Sequence, residues 1–122
     1  MEKRERIFKG VITLLVLKSI WDGPKHGYLL ENEINNKLGE KLSEGEIYSL
    51  MKHMEIRGFV RSFTMMENSR MRRYYEITEK GKSFLIKHKH ALEVVNPLIN
   101  EILDFINEKA DFLRGYQSNE NK

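Results

Sequence analysis

Residues 43 to 81 hold most of the side chains in this 122-residue chain that could do chemistry. Ser43, Gly45, Tyr48, Ser49, Lys52 and His53 recur at spacings that line one face of a helix, with Arg57 at its edge and Glu44 beside its start. A second polar group follows in Arg70, Arg72 and Arg73. Residues 52 to 75 contain six Lys or Arg against two Glu, a local charge of +4. The whole chain carries only +3, so the remainder is about −1. Hydroxyls, guanidinium groups and a helix N-terminus gathered in one stretch are suited to holding phosphate, not to making or breaking bonds. A solvated hairpin that is merely basic would show the same charge, so the reading rests on the elements that place these groups.

Other chemistries find little support. There is no cysteine, which excludes disulfides, thiolate metal sites and Cys nucleophiles. The histidines are His26, His53, His88 and His90. His88 and His90 are two apart on an expected helix, point to different sides and match no zinc spacing. No Gly-rich phosphate loop, nucleophile elbow or paired-carboxylate motif occurs. The sequence therefore predicts no catalytic residue, no metal and no cofactor, and the chain reads as a non-enzyme. At 40% hydrophobic and 32% charged residues it can build one modest core. Its longest apolar run, Val11 to Leu17 with Thr13 inside it, is far short of the roughly 20 residues that span a bilayer. Met1 to Arg6 mixes charge signs and lacks a small-residue cleavage site, so no signal peptide is expected and a cytoplasmic location fits.

The elements that must position these groups follow from periodicity. Residues 5 to 21 read as a first helix, apolar nearly all round and ended by Asp22-Gly23-Pro24. Residues 25 to 38 read as a second helix, with Tyr28, Leu29 or Leu30, Ile34 and Leu38 on its apolar side and Gly39 closing it. Ser43 and Glu46 match a capping box, in which each side chain satisfies a free backbone N–H. They open a third helix whose stripe is Ile47, Leu50, Met51 and Met54 and whose stop is Gly58. Phe59 to Glu67 and Met71 to Thr78 alternate as two strands with their tip near residues 67 to 71. Of Tyr74 and Tyr75, one should fill the core and the other support the sheet. Tyr48 has two readings, groove contact or partial burial against the second helix. Thr78 caps a long C-terminal helix, which Asn96-Pro97 should kink or break. Its apolar stripe outruns the core beneath it, so a second subunit is expected to cover it.

Helix, helix, helix, hairpin and helix in this order describe a winged helix. The fold class is mainly α with a small β-hairpin: a winged helix-turn-helix over residues 1–78, a C-terminal dimerisation helix over 79–114 and a disordered tail over 115–122. The expected dimer interface takes Phe8, Val11 and Leu15 from the first helix and Leu98, Ile102, Phe105 and Ile106 from the last.

Three stretches resemble the PadR family of winged-helix transcriptional regulators. They are Gly23-Pro24-Lys25-His26-Gly27-Tyr28-Leu29-Leu30; Ser43-x-Gly45-x-Ile47-Tyr48-x-x-Met51-x-x-Met54-Glu55-x-x-Gly58-Phe59-Val60; and Arg72-Arg73-Tyr74-Tyr75-x-Ile77-Thr78-x-x-Gly81. Each is weak alone, but together they run in register over about residues 11 to 86. The resemblance implies a homodimer joined through the first and last helices. It implies recognition helices in successive major grooves of a near-palindromic operator on double-stranded DNA. It also implies repression, often relieved by a small aromatic or otherwise hydrophobic effector. Carried over residue by residue, the DNA-facing positions are Ser43, Gly45, Tyr48, Ser49 and Lys52 with the wing arginines; His53 joins them from its place on the helix. Glu44 stands where the family often has Pro, and Met51 and Met54 where it often has Leu. Trp21, Phe105 and Phe112 suit either a ligand pocket at the dimer interface or plain core. The competing reading is a winged-helix protein–protein module without DNA binding, for which Glu44 and the small net charge speak.

Overall fold

The computed structural model describes residues 4–39 and 42–120; the side chains of residues 4–8, 44 and 116–120 are outside the description. The expectations placed on Met1 to Arg6, on the Phe8 and Glu44 side chains and on the last two residues therefore lie outside the described part. Two compact units are present, Met1–Lys87 and His88–Lys122. The first contains α1 (Arg4–Ser19), β1 (Lys25–His26), α2 (Gly27–Leu38), α3 (Glu44–Ile56), β2 (Val60–Glu67), β3 (Arg70–Ile77) and α4 (Glu79–Lys87). The second is α5 (Lys89–Glu120).

One core holds the first unit together. Ile12, Val16 and Ile20 lie four apart along α1 and just beyond it, Leu30 and Ile34 lie four apart on α2, and Ile47, Met51 and Met54 follow helical spacing on α3. With Leu17, Leu42, Phe59, Val60 and Tyr75 they are all buried. Phe84 and Leu85 of α4 pack partly buried against this cluster, and the Phe84 ring stacks on Phe59 at 4.2 Å. The wing is a two-residue hairpin: Asn68 and Ser69 both have positive φ (51° and 66°), as a type I′ turn requires. That turn matches strand twist and sets an unbroken register from Val60↔Ile77 to Glu67↔Arg70.

Several expectations change here. Residues 25 and 26 are not helical. They form β1, which pairs antiparallel with β3 at Lys25↔Tyr75 and His26↔Tyr74, so the sheet has three strands in the order β1-β3-β2. Lys25 and His26 follow Pro24 in extended backbone, and the open edge of β3 supplies the partner. Tyr28 leaves the apolar stripe of α2 and is exposed, because Leu30 and Ile34 already face the core. The Ser43–Glu46 pair does not form a reciprocal cap. Ser43 Oγ donates to Glu46 Oε1 at 2.9 Å, and the Ser43 side chain caps no backbone N–H. The C-terminal segment breaks at His88 rather than at Pro97, which lies inside α5. A proline removes one backbone donor, and an exposed helix can bend around it without ending. The last helix runs to Glu120, past the expected start of a tail at residue 115.

The junction between α3 and the wing is closely held. Gly58 takes φ +81° just past α3. Its N–H donates to Glu55 O at 3.0 Å and that of Phe59 to Met54 O at 2.9 Å, the Schellman arrangement that ends a helix in one reversed residue. Across the sheet, the Thr78 N–H donates to Phe59 O at 3.1 Å, and Thr78 Oγ1 donates to Gly58 O at 2.6 Å. The same hydroxyl accepts the Gly81 N–H at 3.0 Å, so Thr78 also caps α4, as its position before that helix predicts. A Cβ on Gly81 would stand 2.2 Å from Phe59 O and 2.9 Å from Ile77 Cγ1.

At the other edge of the sheet, Lys25 Nζ binds Glu33 Oε1 at 2.9 Å and Ser19 Oγ at 3.1 Å, while Ser19 Oγ donates to Glu33. This half-exposed cluster joins α1, β1 and α2. The Ser19 hydrogen bond first, and then that from Lys25, holds the Glu33 carboxyl below its ordinary pKa of 4.5.

Two outcomes are expected. Gly81→Ala should lower stability by about 1–3 kcal/mol in urea unfolding, because a backbone carbonyl cannot move aside as a flexible side chain would. Glu33→Gln should flatten the acid limb of the stability–pH curve. A depressed native pKa contributes stability above the ordinary carboxylate value that is lost as pH falls through the native one. The wild type should therefore lose more stability than the variant between neutral pH and about pH 3.

Candidate nucleic-acid interface

α3 sorts its side chains by helical period. Ile47, Met51 and Met54 go to the core, and Gly45, Tyr48, Ser49, Lys52 and His53 are exposed on the opposite side. Tyr48 is 64% exposed, so the reading in which it packs against α2 does not hold. Ser43 stands exposed at the N-cap with extended backbone. The first turn of α3 thus stands next to an exposed polar face, and the helix dipole there favours an anion.

The wing places its arginines less simply than their spacing suggests. In a strand, successive side chains point to opposite faces. Arg61, Phe63, Met65, Glu67, Arg70, Arg72 and Tyr74 share one face; Val60, Ser62, Thr64, Met66, Met71, Arg73 and Tyr75 share the other. Arg70 is exposed at the tip beside the turn. Arg73 donates to Ser62 Oγ at 3.1 Å, and Ser62 donates to Glu55 of α3, so Arg73 lies on the side of the wing that meets α3. Arg72 sits on the other face, its side chain 32% exposed, with NH1 3.1 Å from His26 Nε2. The three arginines do not form a single cluster.

The paired tyrosines divide as expected. Tyr75 is buried, and burial first of all pushes its hydroxyl pKa up. Tyr74 supports the sheet. Its ring stacks on Phe63 at 5.6 Å and meets His26 edge-on, and its hydroxyl donates to Glu67. That hydrogen bond is the main reason its pKa is raised.

Sequence reasoning missed several surface groups. His26 caps α2, its Nδ1 accepting the Leu29 N–H at 3.2 Å. Tyr28 is 71% exposed and borders a groove of about 300 Å³ with Tyr48, Arg72 and Arg73. Met65, Met66 and Met71 stand exposed on the outer half of the wing, and Ile56 at the end of α3. Neither the His26 cap nor the exposed Met side chains had a clear sequence signal: cap positions favour Ser, Thr, Asp and Asn, and exposed and buried Met look alike in sequence. Among the described residues no three His, Asp or Glu side chains stand together as metal ligands would. No helix there is long and apolar enough to cross a membrane.

α5 presents a different surface. Leu92, Val95, Leu98, Ile99, Ile102, Phe105 and Ile106 recur at helical spacing and are all exposed. Of the α1 positions expected at an interface, Val11 is exposed, and Leu15 packs partly buried against the core.

Comparison with known proteins agrees with this architecture. The sequence profile of the transcriptional regulator PadR-like family matches residues 16–87. The Thermoplasma acidophilum protein TA0346, described as a candidate transcriptional regulator, has a crystal structure that superimposes with a TM-score of 0.78 at 39% identity, covering 82% of this chain and 97% of that one. The Mycobacterium tuberculosis transcriptional regulator Rv3488 is 28% identical over 85 residues, covering 70% of this chain and 78% of that protein. A 37.1 kDa protein of transposon TN4556 from Streptomyces fradiae is 26% identical over 112 residues; the match takes in 86% of this chain and only 32% of that protein. With more than half of its residues matched and its wing, helices and order of elements shared, the chain belongs to the PadR-like family of transcriptional regulators, which are not enzymes.

Proposed function

We propose that this regulator binds double-stranded DNA in a sequence-specific manner, as a homodimer, and represses by occupying a near-palindromic operator. The observation that carries the reading is the exposed polar face of α3, with Tyr48, Ser49, Lys52 and His53 in line and the arginine-bearing wing beside it. A helix of this kind fits the major groove, and a two-fold dimer presents two such helices to half-sites about one helical turn apart. Lys52 and the wing arginines supply the phosphate contacts that set affinity and register. Tyr48, Ser49 and His53 are the groups placed to reach base edges.

The homodimer rests on α5. A stripe of Leu98, Ile102, Phe105 and Ile106 left in water would be costly, and a second copy of the same helix offers a matching stripe. The same aromatic-bearing surface suits a small hydrophobic or aromatic effector, with Phe105 and Phe112 as the rings to meet it. A regulator of this kind acts on chromosomal DNA, which puts it in the cytoplasm.

Two experiments test the proposal. Lys52→Ala should weaken binding to an operator duplex about tenfold without changing the fold, and should lower the slope of log affinity against log salt by about one. Affinity unchanged by this variant, with a stoichiometric protein partner held by α3 instead, would favour the protein–protein module. Ile102→Asp should raise the dimer dissociation constant at least about thirtyfold by sedimentation equilibrium, since a charge at the centre of a packed apolar interface costs about 2 kcal/mol or more. A variant as dimeric as the wild type would rule out the α5 interface.

A further inference from the structure

Arg72 is short of hydrogen-bond acceptors. Its Nε is buried without a hydrogen-bond partner. Glu67 Oε2 lies 3.9 Å away, out of hydrogen-bond reach, and takes the Tyr74 hydroxyl instead. Arg72 NH1 faces His26 Nε2 at 3.1 Å, while Nδ1 of the same ring accepts the Leu29 N–H at 3.2 Å. A guanidinium and a backbone N–H can only donate, and a neutral imidazole has one acceptor nitrogen. Two donors therefore compete for a single lone pair. If Nδ1 keeps the helix cap, neither Nε nor NH1 of Arg72 has an acceptor.

This guanidinium lines the groove of about 300 Å³ together with His26, Tyr28, Tyr48, Arg73 and Tyr75. The groove lies where the sheet edge opens: β1 pairs only with Tyr74 and Tyr75, and the strand beyond, with Arg72 and Arg73, has no neighbour on that side. Among the described residues no carboxylate lines it. The Arg72 guanidinium and two largely exposed phenols, at an opening with no acidic side chain among the described residues, are matched by an oxyanion, which accepts from several donors at once.

We propose that this groove seats one phosphodiester of the DNA backbone. The proposal rests on the DNA-binding reading and adds Tyr28 and His26 to its residues. Arg72 supplies the charge and Tyr28 a neutral donor. His26 is a positioning residue that aims Arg72. Tyr48 borders the same groove from α3, so a phosphate held here fixes where the recognition face meets the bases.

The test compares wild type, Tyr28→Phe, Arg72→Lys and His26→Asn on duplex from upstream of the chain's own gene, across a salt series. A second set of duplexes carries a single uncharged methylphosphonate at successive positions. Tyr28 is exposed, so Tyr28→Phe leaves the fold intact and should weaken binding about three- to tenfold. Arg72→Lys keeps the charge, loses the fork and should weaken it about tenfold. Asn is a good helix cap but too short to hold Arg72, so His26→Asn should keep the unfolding midpoint and still lose DNA affinity. One methylphosphonate position should weaken the wild type by a similar factor and Arg72→Lys no further. Wild-type binding with a steep salt slope, matched by all three variants, would overturn the seat and leave the DNA reading standing. So would methylphosphonate losses that add to Arg72→Lys at every position. A wild type that binds no duplex would sink both. Inorganic phosphate at millimolar concentration that shifts the His26 ring signals in NMR, with DNA failing to displace it, would assign the groove to a free anion and overturn the backbone source.

Discussion

The grip of Thr78 on the end of α3 is the constraint on which the rest of this structure depends. A helix and a hairpin present one shared surface only if the angle between them is fixed. Here α3 ends in one reversed residue, Gly58, and the next carbonyls are held by the Thr78 backbone and hydroxyl. Gly81 then lets α4 approach Phe59 more closely than any side chain would allow. Strand, helix end and following helix are thereby locked in one place, with the stacked rings of Phe59 and Phe84 filling the space between. The polar face of α3 and the Arg73 side of the wing come out next to each other as a consequence.

The core explains why that face is free. A unit of this size has few apolar residues to bury, and α1, α2 and α3 each give theirs to one cluster. What remains on α3 is polar by subtraction: Ser49, Lys52 and His53 are exposed because Ile47, Met51 and Met54 occupy the inner side. α5 is the opposite case. It carries an exposed apolar stripe along its length, the surface on which the proposed homodimer rests.

Much of this was legible in the sequence because local chemistry and global fold agree. Gly58 and Thr78 marked element ends, Asn68-Ser69-Arg70 marked the turn to within a residue, and the stripe of α3 separated core from surface. The parts that were not legible depend on partners distant in the chain. Lys25 and His26 become a strand only because β3 has an open edge. Arg72 and Arg73 separate because a strand alternates its faces and because His26, Glu67 and Ser62 wait on different sides. Ser43 and Glu46 bond each other, a choice between two local geometries that spacing alone does not make. The break at His88 falls where the support of the core ends. Pro97, the louder signal in the sequence, is absorbed within an exposed helix.

The central claim is that the α3 face and the wing together read duplex DNA. The most direct measurement is a salt titration of binding to DNA from upstream of the chain's own gene, with an unrelated duplex beside it. The account predicts tighter binding to the upstream duplex, weakening steeply with salt in proportion to the phosphates neutralised. Absence of binding to either duplex at low salt would contradict it.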